Sequence, residues 1–196
     1  ENVTKQRLVS VVAAEVADVG EKTTKLDADS MTVLSRDQVT QVKNADGSLH
    51  SVSVDFTAPG EGSYLIFAFY QYGTGEYYTP AATGKSYTIN YLAKEGANAL
   101  INYWNENVLT DKFQKVINEI DECDMFMDSL ELKTRGTQST GQLWCTEMLD
   151  EFSGRTDYDL EKYLPFLIKT GGGFGSALEY PYEAADTEDI TFHDNL

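Results

Sequence analysis

Three segments in the first half of the chain have the polar pattern of β-strands. Leu8–Val16 is almost continuously apolar and rich in β-branched residues, which is typical of a strand buried on both faces. After a turn at Asn44–Gly47, residues 52–56 alternate between apolar and polar side chains and predict a half-buried strand. Tyr64–Tyr72 predicts a long strand with bulky residues on both faces. Residues 26–88 are therefore predicted to form an antiparallel β unit.

The apolar period then changes from two to about 3.6 residues, which indicates helices. One face of the first predicted helix carries Ala97, Leu100, Ile101, Trp104 and Val108. Thr110 can cap a second helix that runs through Ile120. Short helices are predicted at Glu147–Phe152, which Gly154 can end, and at about Leu160–Ile168.

Asp124–Leu132 is the segment in which the sequence most strongly suggests chemistry, because an apolar run of strand length ends in two carboxylates, Asp128 and Glu131. In α/β domains, active sites form at the carboxyl ends of buried strands. A carboxylate buried without a partner would be costly, which favours a site over packing. Glu131 is therefore a candidate general acid, with Asp128 as a neighbouring carboxylate or substrate contact. The alternative is that Glu131 caps a loop or forms an ion pair with it.

The order of the predicted elements is strand, β insertion, two helices, strand, loop and helix. Helices that lead into a buried strand are typical of α/β folds. The predicted fold is therefore part of a (β/α)8 barrel that carries an inserted antiparallel β unit. Residues 1–25 would form a barrel strand and its lead-in, residues 26–88 the inserted unit, and residues 89–196 a barrel portion with active-site loops.

The net charge of the chain restricts the classes of molecule that it is expected to bind. The 196 residues include 15 Lys+Arg and 32 Asp+Glu, a formal net charge of −17. Such a field argues against nucleic acid and against an anionic membrane surface, and it suits a neutral substrate or a cation. The acidity also has a simpler explanation, which is solubility. No segment is long enough to span a membrane, and no signal peptide is recognisable, so membrane insertion is not expected.

Other candidate groups are weaker. Trp144 follows the acidic segment, and its indole is expected either to stack on a sugar ring or to pin the next helix in the core. Cys123 and Cys145 match no metal motif and are expected to be buried small apolar side chains. The acidic segments 27–29 and 186–189 have oxygen ligands suited to calcium but are expected to be solvated loops.

Four segments in succession resemble a known family. They are Pro59–Gly75, Leu92–Trp104, Met127-Asp128-Ser129-Leu130-Glu131, and Trp144–Phe152 continuing into Tyr158–Pro165. Their order and spacing are similar to those of the bacterial α-L-rhamnosidases of glycoside hydrolase family 106. The family's members are several times longer, so the resemblance implies that this chain is an internal fragment of a secreted or periplasmic enzyme.

The resemblance also implies a mechanism. It implies a calcium-dependent, inverting hydrolase of terminal α-L-rhamnosides in complex glycans, with a (β/α)8 catalytic barrel. Glu131 would be the general acid, Asp128 would contact the sugar, and Trp144 would form a wall of the site. Inversion requires a second carboxylate about 6.5–9.5 Å away. That base is expected beyond Leu196, so the isolated chain is expected to be inactive.

Two other interpretations remain open. The first is a non-catalytic carbohydrate-binding or adhesion module built on the aromatic β unit, since the chain has 12 Tyr, 9 Phe and 2 Trp. The second is a structural fragment in which Asp128 and Glu131 are satisfied polar groups with no chemical role.

Overall fold

The computed structural model describes residues 6–73, 75, 77–78, 84–124, 126, 143–171 and 178–186. The chain divides into two compact units. Residues 1–75 and 134–196 form the first, here called the sheet unit, and residues 76–133 form the second, here called the helical unit.

The strands are mostly short, apart from two long ones in the sheet unit. In chain order they are β1 (Arg7–Val19), β2 (Thr24–Leu26), β3 (Thr32–Val33), β4 (Val39–Lys43), β5 (Leu49–Val54), β6 (Tyr64–Gln71), β7 (Tyr77–Tyr78), β8 (Ser86–Tyr87), β9 (Thr170–Gly171), β10 (Leu178–Glu179) and β11 (Tyr182–Ala184). The helices are α1 (Lys94–Asn107), α2 (Asp111–Glu119), α3 (Met148–Ser153) and α4 (Leu160–Tyr163), which a 3₁₀ helix (Leu164–Leu167) follows directly.

The long strand β1 organises the sheet unit. It pairs antiparallel with β6 along most of its length, and with β2 and β3 on its other side. The register with β6 places Val12 opposite Phe67 and shifts between Leu8 and Ser10, as at a β-bulge. The strand β11 joins the sheet by pairing parallel with β2.

Both faces of β1 are covered, because its side chains alternate between two apolar clusters. On one face, Ala14 packs with Leu26, Met31 and Phe166, the last of which belongs to the 3₁₀ helix. On the other face, apolar residues from the hairpin β4–β5 and its neighbours complete the cluster. Its members are Val11, Ala13 and Leu34, with Leu8, Val39, Val54 and Phe56 packed against them.

The hairpin β4–β5 depends on its turn. Gly47 has a φ of 81°, a left-handed conformation that glycine adopts without a steric penalty. The N–H of Gly47 donates to the carbonyl of Asn44, and the N–H of Asn44 donates to the carbonyl of Ser48. The turn predicted at Asn44–Gly47 is therefore confirmed.

The helical unit contains α1, α2 and the small hairpin β7–β8. The side chain of Thr110 accepts a hydrogen bond from the N–H of Phe113, as expected of an N-cap. Neither α1 nor α2 has a buried residue, although each has an apolar face. The unit therefore has helices of the predicted kind without a buried core in its described residues.

Most of the predicted elements are present in the structure. The apolar run Leu8–Val16 lies within β1, Tyr64–Tyr72 corresponds to β6, and residues 52–56 begin in β5. The two predicted long helices are α1 and α2, and the short predicted helices are α3 and α4 with its 3₁₀ extension.

The predicted α/β fold, part of a (β/α)8 barrel with an inserted antiparallel β unit, is wrong. The expected barrel strand, β1, is the centre of a mainly antiparallel mixed sheet that includes β6. A strand covered on both faces is apolar throughout whether its neighbours run parallel or antiparallel, so its composition does not reveal their direction. The helices α1 and α2 also bury no residue against a strand.

Candidate functional site

The two predicted acids, Asp128 and Glu131, lie outside the described residues. The preceding part of their segment is described at Asp124 and Phe126. Phe126 belongs to no strand, and 89% of its surface is exposed. At this position the segment therefore does not have the burial expected of a core strand.

Trp144 is described, and its loop leads directly into α3. The indole is half-buried and packs against a cluster that we call the aromatic cluster. The cluster has four buried members, Phe152, Leu160, Leu164 and Leu167, with Phe69, Trp144, Leu149 and Tyr158 packed against them. Trp144 therefore holds the following helix, as one of its two interpretations predicted, while part of the side chain remains accessible.

A hydrogen bond ties the Trp144 loop to the end of β6. The side-chain amide of Gln71 donates to the hydroxyl of Thr146 at 3.2 Å. Phe69, two residues earlier on β6, packs against the same aromatic cluster as Trp144. The loop after the acidic segment is thus fixed against the carboxyl end of the longest strand that pairs with β1.

Aromatic contacts continue from the cluster through α4. The ring of Tyr158 meets that of Phe152 at 5.3 Å and that of Tyr163 at 5.9 Å, both nearly edge to face. This geometry is favourable because the positive ring edge of one residue faces the negative ring face of the other. Asp159 caps α4 by accepting from the N–H of Glu161 at 2.9 Å. The part of the sheet unit against which Trp144 packs is therefore itself closely packed.

Ser10 is a buried polar group that the sequence reasoning did not select. It lies opposite Phe69 in the sheet, is only 5% exposed, and its hydroxyl has no hydrogen-bond partner among the described residues. A buried hydroxyl without a partner costs free energy. The available sequence signal was a serine within the almost continuously apolar run Leu8–Val16.

The carboxylates near Trp144 are exposed. Glu147, Asp150 and Glu151 all face solvent, and Glu151 accepts a hydrogen bond from the guanidinium of Arg155 at 2.9 Å. Cys145 is buried, as expected, whereas Cys123 is exposed, so the prediction that both thiols are buried is wrong for Cys123.

Tyr64 and Glu15 form a second polar contact on the sheet. The phenol of Tyr64 donates to the Glu15 carboxylate at 2.9 Å, and this bond raises the pKa of Tyr64 above its ordinary value. A side chain at Gly62 would overlap the Glu15 carboxylate, which is the flexible end of its side chain and would have to shift. The contact joins the first residue of β6 to β1.

Calcium remains a prediction. The described residues include no group of three or more His, Cys, Asp or Glu side chains that could hold a metal ion. In the acidic segment 27–29, a side-chain oxygen of Asp27 accepts from the N–H groups of Asp29 and Ser30, at 2.9 and 3.4 Å. That carboxylate therefore stabilises a turn.

In the part of the chain that the structure describes, no helix is long and apolar enough to cross a membrane. The chain matches no family model, no curated protein and no solved structure.

Proposed function

We propose that the chain is part of a glycoside hydrolase that releases terminal α-L-rhamnose from complex glycans. Glu131 is the general acid that protonates the leaving glycosidic oxygen, and Asp128 contacts the sugar. Trp144 forms an apolar wall of the site. A second carboxylate activates water on the opposite face of the ring, and it is not assigned to a residue of this chain.

One observation carries this proposal: two of the four segments that resemble the rhamnosidase family, the first and the last, meet in space. Phe69 comes from the first segment, Trp144 and Phe152 from the last, and Leu160 and Leu164 from its continuation, and all five belong to the aromatic cluster. The hydrogen bond from Gln71 to Thr146 joins residues 75 positions apart in sequence. The family resemblance therefore extends over residues that contact one another, as expected if they support a common site.

The role of Trp144 follows from its partial burial. The packed part of the indole fixes its orientation, and the accessible part can cover the apolar face of a sugar. A rigid aromatic wall loses little side-chain entropy when the substrate binds. The metal-dependent part of the family resemblance has no support in the described residues, and no step of the proposed reaction uses calcium.

The test is hydrolysis of an aryl α-L-rhamnoside by the intact protein that contains this chain, compared with its Glu131→Gln variant. Loss of a general acid typically lowers the rate by about 10²–10⁴-fold. Glu147→Gln is the matched control, because it makes the same acid-to-amide change at an exposed position beside Trp144. An intact protein without activity contradicts the proposal, and equal activity in the wild type and Glu131→Gln removes Glu131 from it.

A second candidate function is a non-catalytic carbohydrate-binding module. The mixed sheet favours it, because β6 presents Tyr70 half-buried and Trp144 is held next to its end. This alternative predicts glycan binding by the isolated chain that survives Glu131→Gln. Binding would be lost in Tyr70→Ala or Trp144→Ala. Calorimetric titration with rhamnose-containing oligosaccharides separates the two candidates.

A further inference from the structure

Among the described residues, no strand pairs with the outer edge of β6, the side of the strand that faces away from β1. In the described part of the chain, β6 pairs with β1 alone. The strand spans eight residues, Tyr64–Gln71, and contains no charged residue and no proline. Proteins normally protect such edges with charges, prolines or bulges, because unpaired N–H and C=O groups recruit further strands.

The register identifies the residues whose backbone faces outward. The N–H of Val16 donates to the carbonyl of Ser63 at 2.8 Å, so the backbone of Ser63 faces β1. The backbone N–H and C=O groups of successive residues point alternately to the two sides of an antiparallel strand. The backbone groups of Leu65, Phe67 and Phe69 therefore also point toward β1. The backbone groups of Tyr64, Ile66, Ala68 and Tyr70 therefore point away from β1.

The side chains on this edge are apolar on both faces of the sheet. Leu65, Phe67 and Phe69 pack toward the two clusters beside the short helices. On the opposite face, Ile66 is 41% exposed and Ala68 is also exposed, although their neighbours on β1 are buried. A strand that pairs here must itself be apolar on both faces.

We propose that the outer edge of β6 is a homodimer interface, at which β6 of a second copy of this chain pairs antiparallel to form a continuous sheet. A second β6 strand has the properties that this edge requires of a pairing strand, because β6 is apolar on both faces and uncharged. When Phe67 of one copy lies opposite Phe67 of the other, Ile66 lies beside Ala68 of the second copy, and Tyr64 beside its Tyr70. All the outward backbone groups of both copies are then paired.

This register also suits the side chains. The large Ile66 lies beside the small Ala68, so the exposed face fills without a steric clash. A shift by two residues in either direction would leave Tyr64 or Tyr70 of each copy without a partner. Two-fold symmetry about Phe67 makes the contact closed and self-complementary, as in most homodimers.

The net negative charge of the chain opposes dimerisation and makes the strength of the dimer depend on salt concentration. Each copy has a formal net charge of −17, so two copies repel one another over a distance set by the salt concentration. Because β6 itself is neutral, the pairing contacts are insensitive to salt. The dimer is therefore expected to become tighter as ionic strength rises, in contrast to an interface held by ion pairs.

The test is sedimentation velocity of the whole chain from low micromolar to near-millimolar concentration, at low and high salt. A concentration-dependent dimer is expected, and high salt should strengthen it. Ile66→Lys and Ala68→Pro should each weaken dimerisation by about tenfold or more. Val42→Lys is the matched control, because Val42 is 46% exposed on β4, which pairs with β5 in a separate two-stranded sheet, and the substitution changes net charge equally.

Amide exchange locates the contact independently of the variants. The amides of Tyr64, Ile66, Ala68 and Tyr70 should become protected as concentration rises, whereas those of Leu65, Phe67 and Phe69 should be protected in the monomer. Because Ala68→Pro removes only an outward N–H, the variant should fold, and thermal unfolding checks this. A chain that stays monomeric overturns the proposal, as does a dimer that Ile66→Lys and Ala68→Pro leave intact or in which the outward amides stay unprotected.

Discussion

In both the sheet unit and the helical unit, strands and helices form where the pattern of apolar and polar residues predicts them. The two units differ in how far their apolar side chains are buried. In the sheet unit, Val12, Ala14, Leu26 and Phe166 are completely inaccessible to solvent. In the described part of the helical unit no side chain is buried, and apolar residues of both helices are exposed. These residues are Leu100, Ile101, Tyr103, Phe113 and Val116.

The difference shows that local pattern and burial are separate properties. Periodicity sets which face of a helix is apolar, and capping by Thr110 helps α2 begin, but neither supplies a surface to pack against. Helices of this length are only marginally stable without tertiary packing. The sheet unit should therefore account for most of the free energy of unfolding, and substitutions in the two units should have unequal effects.

The largest expected effect comes from Phe166. It is 0% exposed and packs with Ala14, Leu26 and Met31, so Phe166→Ala should lower the free energy of unfolding by about 3–5 kcal/mol. Phe113→Ala on α2 makes the same substitution at a side chain that is 39% exposed, and should cost less than about 1 kcal/mol. Urea unfolding followed by circular dichroism measures both. Equal losses in the two variants would contradict the distinction between the units.

Much of the local structure could be predicted from the sequence, but the pairing of the strands could not. The alternation in residues 52–56 and the helical spacing of Leu100 and Trp104 are local signals, and each element formed where its signal lies. The direction of the neighbours of β1 depends on contacts with β6, more than forty residues away. A continuous apolar run is compatible with either direction, which is why the barrel was a wrong inference.

The candidate site was predictable only in part, for a similar reason. Trp144 was selected from its position after the acidic segment, and its packing against the aromatic cluster follows from tertiary contacts that no local pattern encodes. Ser10 was overlooked because an apolar run containing one serine still predicts a strand. Asp128 and Glu131 remain predictions.

The helix caps of the two units provide a matched test at a smaller scale. Thr110 caps α2 by accepting from the N–H of Phe113 at 3.4 Å, and Asp159 caps α4 by accepting from the N–H of Glu161 at 2.9 Å. Replacing either with alanine should remove about 1 kcal/mol of helix stability. Because α4 lies beside the buried Leu164, Asp159→Ala should lower global stability.

The same change at Thr110 should act locally. Thr110→Ala is expected to accelerate amide exchange within α2 and to leave the urea midpoint of the sheet unit unchanged. Exchange measured by mass spectrometry and the urea midpoint together separate these outcomes. A lower midpoint in Thr110→Ala would mean that α2 contributes to the core after all.

A pH-dependent effect is expected within the sheet unit from Tyr64. Its hydrogen bond to Glu15 raises its pKa above the ordinary value of 10.0, so the folded protein holds the phenolic proton more tightly than the unfolded chain. The resulting stability is fully present below pH 10.0 and is lost as pH rises through the folded value. The wild type should therefore be more stable than Tyr64→Phe near neutrality, with the difference shrinking in alkali. A difference in unfolding midpoints that stays constant with pH would contradict this assignment.

The smallest expected effects come from surface ion pairs, which should not distinguish the units. Arg155 and Glu151 in the sheet unit approach to 2.9 Å, and Lys115 and Glu119 in the helical unit to 3.9 Å, each pair one helical turn apart and exposed. Each should contribute no more than about 0.5 kcal/mol and should weaken in salt. Double-mutant cycles by urea unfolding and amide exchange measure the two couplings. If the Arg155 pair proved several times stronger than the Lys115 pair, packing against the sheet would also be strengthening its surface electrostatics, and the contrast between the units would extend beyond buried apolar residues.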